Sequence, residues 1–209
     1  MGIFGIKSRA ERIAEREELE KQRLIQEKMV KDSEDVTKYL DSIEDQLKSY
    51  FKKCQIEDDK KILMDIRSIA EELYKFNKEK TLSDDVMQRL EKCRDMVAIM
   101  LNMNIKLFGN YNVRESVKHK FEDKEVIKFP TSFESCVELV KELDEQKDKD
   151  SSVGFLLKTH FIIDLITHCK TFVKDNDKYD ELLKRASKVL MYNLDVFGPI
   201  SEREDNLMI

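Results

Sequence analysis

The sequence predicts an all-α protein, with long heptad-patterned helices towards the amino terminus followed by a small carboxy-terminal helical bundle. Glycine (5) and proline (2) are scarce in the 209 residues, and 39% are charged, a composition that favours long helices bathed in water. A 4-3-4-3-4 apolar spacing, which averages 3.5 residues and keeps one stripe of a helix against a partner helix, joins Val36, Leu40, Ile43, Leu47, Tyr50 and Cys54. The amino-terminal helices are therefore expected to form a coiled coil or a helical hairpin.

The first predicted helix, from about Arg9 to Lys31, belongs to an exposed amino-terminal arm that we assign to residues 1–31. Its apolar residues are too sparse to bury a continuous face within the chain: Ile13, Leu19, Leu24, Ile25, Met29 and Val30. Asp32 and Ser33 offer a cap for a second helix that carries the stripe from Val36 to Cys54, although the two helices are also compatible with one continuous rod.

Two more helices complete a coiled-coil-like region at residues 32–109. The third helix repeats the apolar spacing after residue 59, and the fourth begins at Ser83 and ends at Gly109. Four methionines of the fourth helix fit core filling better than a docking groove: Met87, Met96, Met100 and Met103. Asn102 and Asn104 interrupt its apolar face, and we expect them to face solvent, the alternative being that one of them fixes the helix register.

Residues 110–130 lose the helical period and are predicted to be a linker or a functional loop. The stretch is rich in basic residues, and residues 125–129 are compatible with a short strand ended by Pro130. Such a strand would lack a partner to pair with.

A helical bundle is predicted at residues 131–198. Thr131 and Glu134 form a capping box at the start of its first helix, and Asn176 caps its last helix, which Gly198 ends. The helix between them, from about residue 153 to residue 174, is the most apolar of the chain and is expected at the centre of the bundle. Residues 199–209 form an acidic tail.

Composition excludes several classes of function. The net charge of -5 disfavours nucleic acid as the principal partner, because a nucleic-acid surface favours an excess of positive charge. The longest apolar run, Val97 to Leu101, is far shorter than the roughly 20 residues that cross a bilayer. Four widely spaced cysteines without a signal-peptide pattern indicate reduced thiols and a cytoplasmic location.

No motif of the sequence indicates an enzyme, a cofactor or a metal site. Nucleophile elbows, phosphate-binding loops and paired-histidine zinc motifs are all missing. His160, Asp164 and His168 share one helix face, but the two histidines are about 12 Å apart along the axis, so one ion cannot bind both directly. We interpret them as the polar edge of a buried helix, hydrogen-bonded by Asp164.

The amino terminus is the one segment with the character of a membrane contact. Its apolar residues Ile3, Phe4 and Ile6 lie beside Lys7 and Arg9, a combination that suits an anionic bilayer surface. The first five residues, MGIFG, resemble the starts of some membrane-remodelling helical proteins of the ESCRT-III and PspA/Vipp1 groups, and the resemblance covers those residues alone. Residues 110–130 depart from the continuous helical plan of both groups.

The sequence therefore predicts a non-catalytic helical scaffold or adaptor. It would act through association with a protein partner or with a second copy, as a homo-oligomer, and the predicted interface comprises Val36, Leu40, Ile43, Leu47 and Tyr50. The alternative is a peripheral protein that docks on an anionic membrane surface through Ile3, Phe4, Ile6, Lys7 and Arg9. Nucleic acid is not an expected partner.

Overall fold

A computed structural model describes residues 9–57, 59–109, 121, 125–173 and 176–199 of the chain. Within these ranges the protein is all-α, as predicted, and no residue lies in a strand. The helices are α1 (Arg9–Ile56), α2 (Lys60–Glu79), α3 (Asp84–Phe108), α4 (Phe133–Gln146), α5 (Val153–Thr171) and α6 (Asp177–Phe197).

Helix α1 is one continuous helix of 48 residues, about 70 Å long at 1.5 Å per residue. It joins the first two predicted helices, so the cap predicted at Asp32 and Ser33 is wrong as a helix start. Both side chains instead bind the connection between α2 and α3. Asp32 accepts hydrogen bonds from Lys80 Nζ at 2.9 Å and from the Thr81 N–H at 3.0 Å, and Ser33 Oγ accepts from the Ser83 N–H at 2.9 Å.

These five residues, Asp32, Ser33, Lys80, Thr81 and Ser83, form what we call the collar. The hydrogen bond from Lys80, followed by that from Thr81, lowers the pKa of the Asp32 carboxyl, which is therefore held as an acceptor. Asp32 and Ser33 are buried, although residues 30 and 31 just before them are exposed. The collar thus marks the level at which α1 enters the folded body.

Beyond the collar, α1 packs against α2 and α3 of the same chain. The predicted stripe is buried there, with exposed fractions of 0% for Val36, 1% for Leu40, 5% for Ile43 and 3% for Leu47. Tyr50 is half-buried, and its hydroxyl donates to Asp65 at 2.7 Å. The stripe is thus a seam between helices of one chain.

Helices α4, α5 and α6 pack on one another, and α5 also contacts α3. Because α5 has neighbours on several sides, its apolar residues are buried around much of its circumference, including Phe155, Leu156, Phe161, Ile162, Leu165 and Ile166. One cluster of buried side chains continues from α1 to α6. The two predicted groups of helices therefore share a core.

Both glycines predicted to end a helix do so, whereas Ser83 precedes α3 without making a side-chain capping hydrogen bond. Gly109 and Gly198 end α3 and α6 with positive φ angles of 87° and 77°, which favour glycine. The cap predicted at Thr131 is wrong by one residue: Ser132 caps α4 through a reciprocal pair of hydrogen bonds with Ser135. Asn176 precedes α6 as predicted, but its side chain makes no capping hydrogen bond.

The part of residues 110–130 that the structure describes, Phe121 and residues 125–130, packs into the core. Ile127 is 1% exposed, and its N–H and C=O bind the side-chain amide of Gln55 at 2.9 and 3.1 Å. The Phe121 N–H donates to the Gln55 carbonyl at 3.2 Å. Residues 126–129 adopt no regular structure. The buried Gln55 amide supplies the hydrogen bonds that a neighbouring strand would otherwise supply.

We predict that Leu47→Asp destabilises the fold by several kcal/mol, because it places a charge in the buried seam. The matched control is Leu19→Asp on the exposed arm, where Leu19 is 66% exposed and the expected change is within about 0.5 kcal/mol. Urea unfolding monitored by circular dichroism measures both free energies. Equal losses of stability for the two variants would contradict this packing of α1.

Candidate functional site: an exposed arm and a basic groove

The part of α1 before the collar lies outside the core. Every residue from Arg12 to Lys28 is exposed, and the exposed fractions reach 66% for Leu19, 61% for Ile25 and 55% for Leu24. A helix of this length without tertiary packing is marginally stable in water. The arm therefore displays apolar surface that no described part of its own chain covers.

The charges of the arm are mixed in sign. Residues 9–31 contain seven basic residues (Arg9, Arg12, Arg16, Lys21, Arg23, Lys28, Lys31) and six acidic ones (Glu11, Glu15, Glu17, Glu18, Glu20, Glu27). Such a surface forms ion pairs along and between helices, as Arg23 and Glu27 do at 3.4 Å. Its excess of one positive charge is too small to select a polyanion.

The predicted membrane-contact residues fall at the far end of the arm. Ile3, Phe4, Ile6 and Lys7 lie outside the described residues, and of Arg9 the structure describes only the backbone, as the first residue of α1. Arg9 precedes Asp32 by 23 positions along the helix, which places the start of α1 about 35 Å from the collar.

A groove lies on the folded body beyond the collar, between α1, α3 and residues 126–131. Its volume is about 690 Å³. The lining comprises Leu40, Glu44, Leu47, Lys48, Phe51 and Lys52 of α1, Arg89, Cys93 and Met96 of α3, and Val126, Ile127, Lys128, Phe129 and Thr131. The floor is apolar, and the charged residues of the lining are four bases and one acid.

Acids of α1 hold two of the bases at the groove. Arg89 Nη2 lies 2.6 Å from Asp41 Oδ1, and Lys48 Nζ lies 2.9 Å from Glu44 Oε1. Cys93 is half-buried in the wall, and burial raises the pKa of its thiol. No local pattern in the sequence marks this site, because its three walls come from segments far apart in the chain.

The polar and sulfur-containing residues of α3 have divided roles. Met100 and Met103 are fully buried, whereas Met96 lines the groove. The expectation that both asparagines face solvent is wrong for Asn104, which is 1% exposed and donates to the Cys54 carbonyl at 2.9 Å. This bond links α3 to the last turn of α1 and fixes their relative position, while Asn102 is exposed.

The histidines of α5 do not converge on a shared site. His168 is buried between the rings of Phe129 and Phe172, with centroid distances of 5.6 and 5.2 Å. The predicted hydrogen bond from His168 to Asp164 is wrong. His168 Nδ1 instead lies 3.7 Å from Asp95 Oδ2 of α3, which is too far for a hydrogen bond. His160 is exposed, and within the described ranges no three potential metal ligands cluster.

The cysteines differ in their tendency to ionise. Burial raises the pKa of Cys54 to about 12. The interaction of the neighbouring Cys136 and Cys169 thiols raises the pKa of Cys136 and lowers that of Cys169. Cys169 is half-buried, and its thiol donates to the Pro130 carbonyl at 3.7 Å.

We predict that acidification destabilises the protein through His168. Burial lowers its folded-state pKa, against the opposing effect of Asp95, so the unfolded chain binds the proton first. His168 therefore contributes its full stability above about pH 6.5, which is the pKa of a histidine in the unfolded chain. This contribution is lost as the pH falls through the lower pKa of the folded state. His168→Phe keeps an aromatic ring without a proton site, and the fall in melting temperature from about pH 7.5 to about pH 5.5 should shrink. An unchanged fall would contradict the assignment.

Neither a membrane span nor a known relative identifies the site. No helix in the described ranges combines the length and the apolar character that crossing a bilayer requires. Comparisons of the chain with models of protein families, with curated proteins and with solved structures give no match. A functional proposal for this chain therefore rests on its arm and its groove.

Proposed function

We propose that the protein is a non-catalytic helical scaffold or adaptor that binds another helix, from a second copy or from a protein partner, through its arm. The observation that supports this most directly is the exposure of Leu24 and Ile25 on a helix that no described part of its own chain covers at these positions. Apolar helix faces are covered in stable proteins, and a helix this long gains most of its stability from packing.

The spacing of the arm indicates how a partner helix would lie. Ile25 precedes Met29 by four residues and Val36 by eleven, and eleven residues complete about three turns of a straight α-helix, so Ile25 and Met29 lie on the helix face that carries the seam. Ile25 is 61% exposed and Met29 is half-buried. A partner helix on this face would continue the packing that α2 and α3 provide beyond the collar.

The seam itself is a poor candidate for the partner contact. Val36, Leu40, Ile43 and Leu47 are already buried within the chain, and exposing them would open the core. The arm is the better candidate also because its charges are mixed in sign, and ion pairs beside the apolar contact select the partner and its orientation in coiled coils. We therefore transfer the proposed interface from the seam to the arm.

The alternative function is a peripheral protein of an anionic membrane surface, located in the cytoplasm. It is supported by the apolar and basic residues at the start of the arm sequence: Ile3, Phe4, Ile6, Lys7 and Arg9. Shallow burial of apolar side chains and attraction of basic ones to anionic lipids would add.

We predict that deleting residues 1–31 leaves the melting temperature nearly unchanged and abolishes association. The collar and the seam remain in the truncated chain, whereas the exposed apolar residues of the arm are removed. Light scattering reports self-association, affinity purification reports a protein partner, and co-sedimentation with anionic vesicles reports membrane binding.

A pair of point variants locates the contact within the arm. Ile25→Lys lies on the proposed face and should weaken association, whereas Leu19→Lys lies on a different side of the helix and should have less effect. Loss of folding on truncation would show that the arm belongs to the core. Association that is unchanged by deletion of residues 1–31 would refute the scaffold proposal. Vesicle binding that is lost on deletion of residues 1–8 would favour the membrane alternative.

A further inference from the structure

The groove beyond the collar has the composition of a ligand site that the scaffold proposal does not use. We propose that it binds a free single-chain amphiphile with an anionic head, such as a fatty-acid carboxylate. The apolar chain would lie on the floor between α1, α3 and residues 126–129, and the anionic head would lie among the bases at the rim.

The floor of the groove is built from side chains that are almost fully buried. Leu40, Leu47 and Phe51 of α1 are 1%, 3% and 3% exposed, and Ile127 on the opposite wall is 1% exposed. Because these four side chains already pack in the core, the apolar surface open to a ligand comes from Met96, Val126 and Phe129, which are half-buried at the sides of the groove. An apolar floor with a few polar groups at its margin is typical of small-molecule sites.

The wall formed by residues 126–129 is fixed in place before any ligand binds. Gln55 holds Ile127 by two hydrogen bonds of 2.9 and 3.1 Å, and the rings of Phe51 and Phe129 meet edge to face at 5.3 Å. A preformed site avoids the cost of ordering a loop on binding.

The charges at the rim select an anion. Lys48, Lys52, Arg89 and Lys128 line the groove, with Glu44 as the acid among the described lining residues. This local excess of positive charge contrasts with the net charge of -5 for the chain. Arg89 pairs with Asp41 and Glu44 at 2.6 and 3.7 Å, and Lys48 pairs with Glu44 and Asp45 at 2.9 and 3.3 Å. Lys52 and Lys128 lie on opposite walls with their side chains exposed.

The size of the groove favours a small amphiphile over a helical peptide. A helix about 10 Å across would fill 690 Å³ within roughly 9 Å of its length, fewer than two turns. The volume lies instead within the range of about 300–1,000 Å³ found for small-molecule sites.

The proposal is tested by protection of Cys93, which is half-buried in the groove wall, in the full-length protein. Three ten-carbon probes differ in head charge: decanoate, decan-1-ol and decyltrimethylammonium. Iodoacetamide labelling, quantified for each cysteine by peptide mass spectrometry, measures access. Cys169 is half-buried but outside the groove and serves as the internal reference.

Decanoate at ten times its Kd should slow alkylation of Cys93 about tenfold and leave Cys169 unchanged. Decan-1-ol should give the same protection of Cys93 at a concentration up to about fivefold higher, because that factor is the most that one exposed ion pair contributes to binding. Decyltrimethylammonium should protect Cys93 less than decan-1-ol does. Equal protection by decanoate and by either other probe, protection of Cys169 together with Cys93, or no protection by decanoate would each overturn the proposal.

Variants at the rim separate head recognition from burial of the chain. Lys52→Gln and Lys128→Gln should each raise the decanoate Kd about two- to fivefold without altering that of decan-1-ol. Lys53→Gln is the matched control, because Lys53 is an exposed neighbour that does not line the groove. An equal effect of Lys53→Gln would overturn the assignment of the head to this rim. The arm takes no part in these measurements, so failure of the scaffold proposal leaves their outcome unaffected.

Discussion

The hydrogen bonds that Asp32 and Ser33 accept from Lys80, Thr81 and Ser83 set the position of α1 in the fold. They attach the α2–α3 connection to α1, a helix of 48 residues, at Asp32 and Ser33. Helices α2 and α3 therefore cover α1 after the collar, whereas α1 before the collar stays exposed. Both the exposed arm and the groove depend on this division of α1. The arm has an exposed surface because packing begins at the collar, and the groove has its floor because Leu40, Leu47 and Phe51 lie beyond it.

Helical periodicity predicted most of the fold because burial of one face leaves a regular spacing in the sequence. The same local signals failed where a side chain bonds across the structure. Asp32 and Ser33 have the character of a helix cap but bond to a connection some fifty residues away, and the Gln55 amide replaces the strand that Ile127 would need. At the start of α4 the sequence offers two neighbouring capping boxes, and the structure forms the one between Ser132 and Ser135 in place of the one between Thr131 and Glu134.

The candidate sites were predictable to different degrees. Exposure of the arm followed from its sparse apolar residues, which is a property of one segment. The groove has no such signal, because Lys52, Arg89 and Lys128 come together only when three distant segments pack. The seam residues Val36, Leu40, Ile43 and Leu47 were predicted as an interface from their heptad spacing, which cannot show whether the partner helix belongs to the same chain.

Hydrogen exchange along α1, with the chain kept monomeric by dilution, tests this account most directly. Amides from about residue 36 to residue 56 should exchange only through global unfolding, because their side chains pack in the core. Amides from residue 12 to residue 28 should exchange orders of magnitude faster, as in an isolated helix, and the change should occur at the collar. Uniform protection along α1, or rapid exchange of the Thr81 and Ser83 amides, would contradict the account.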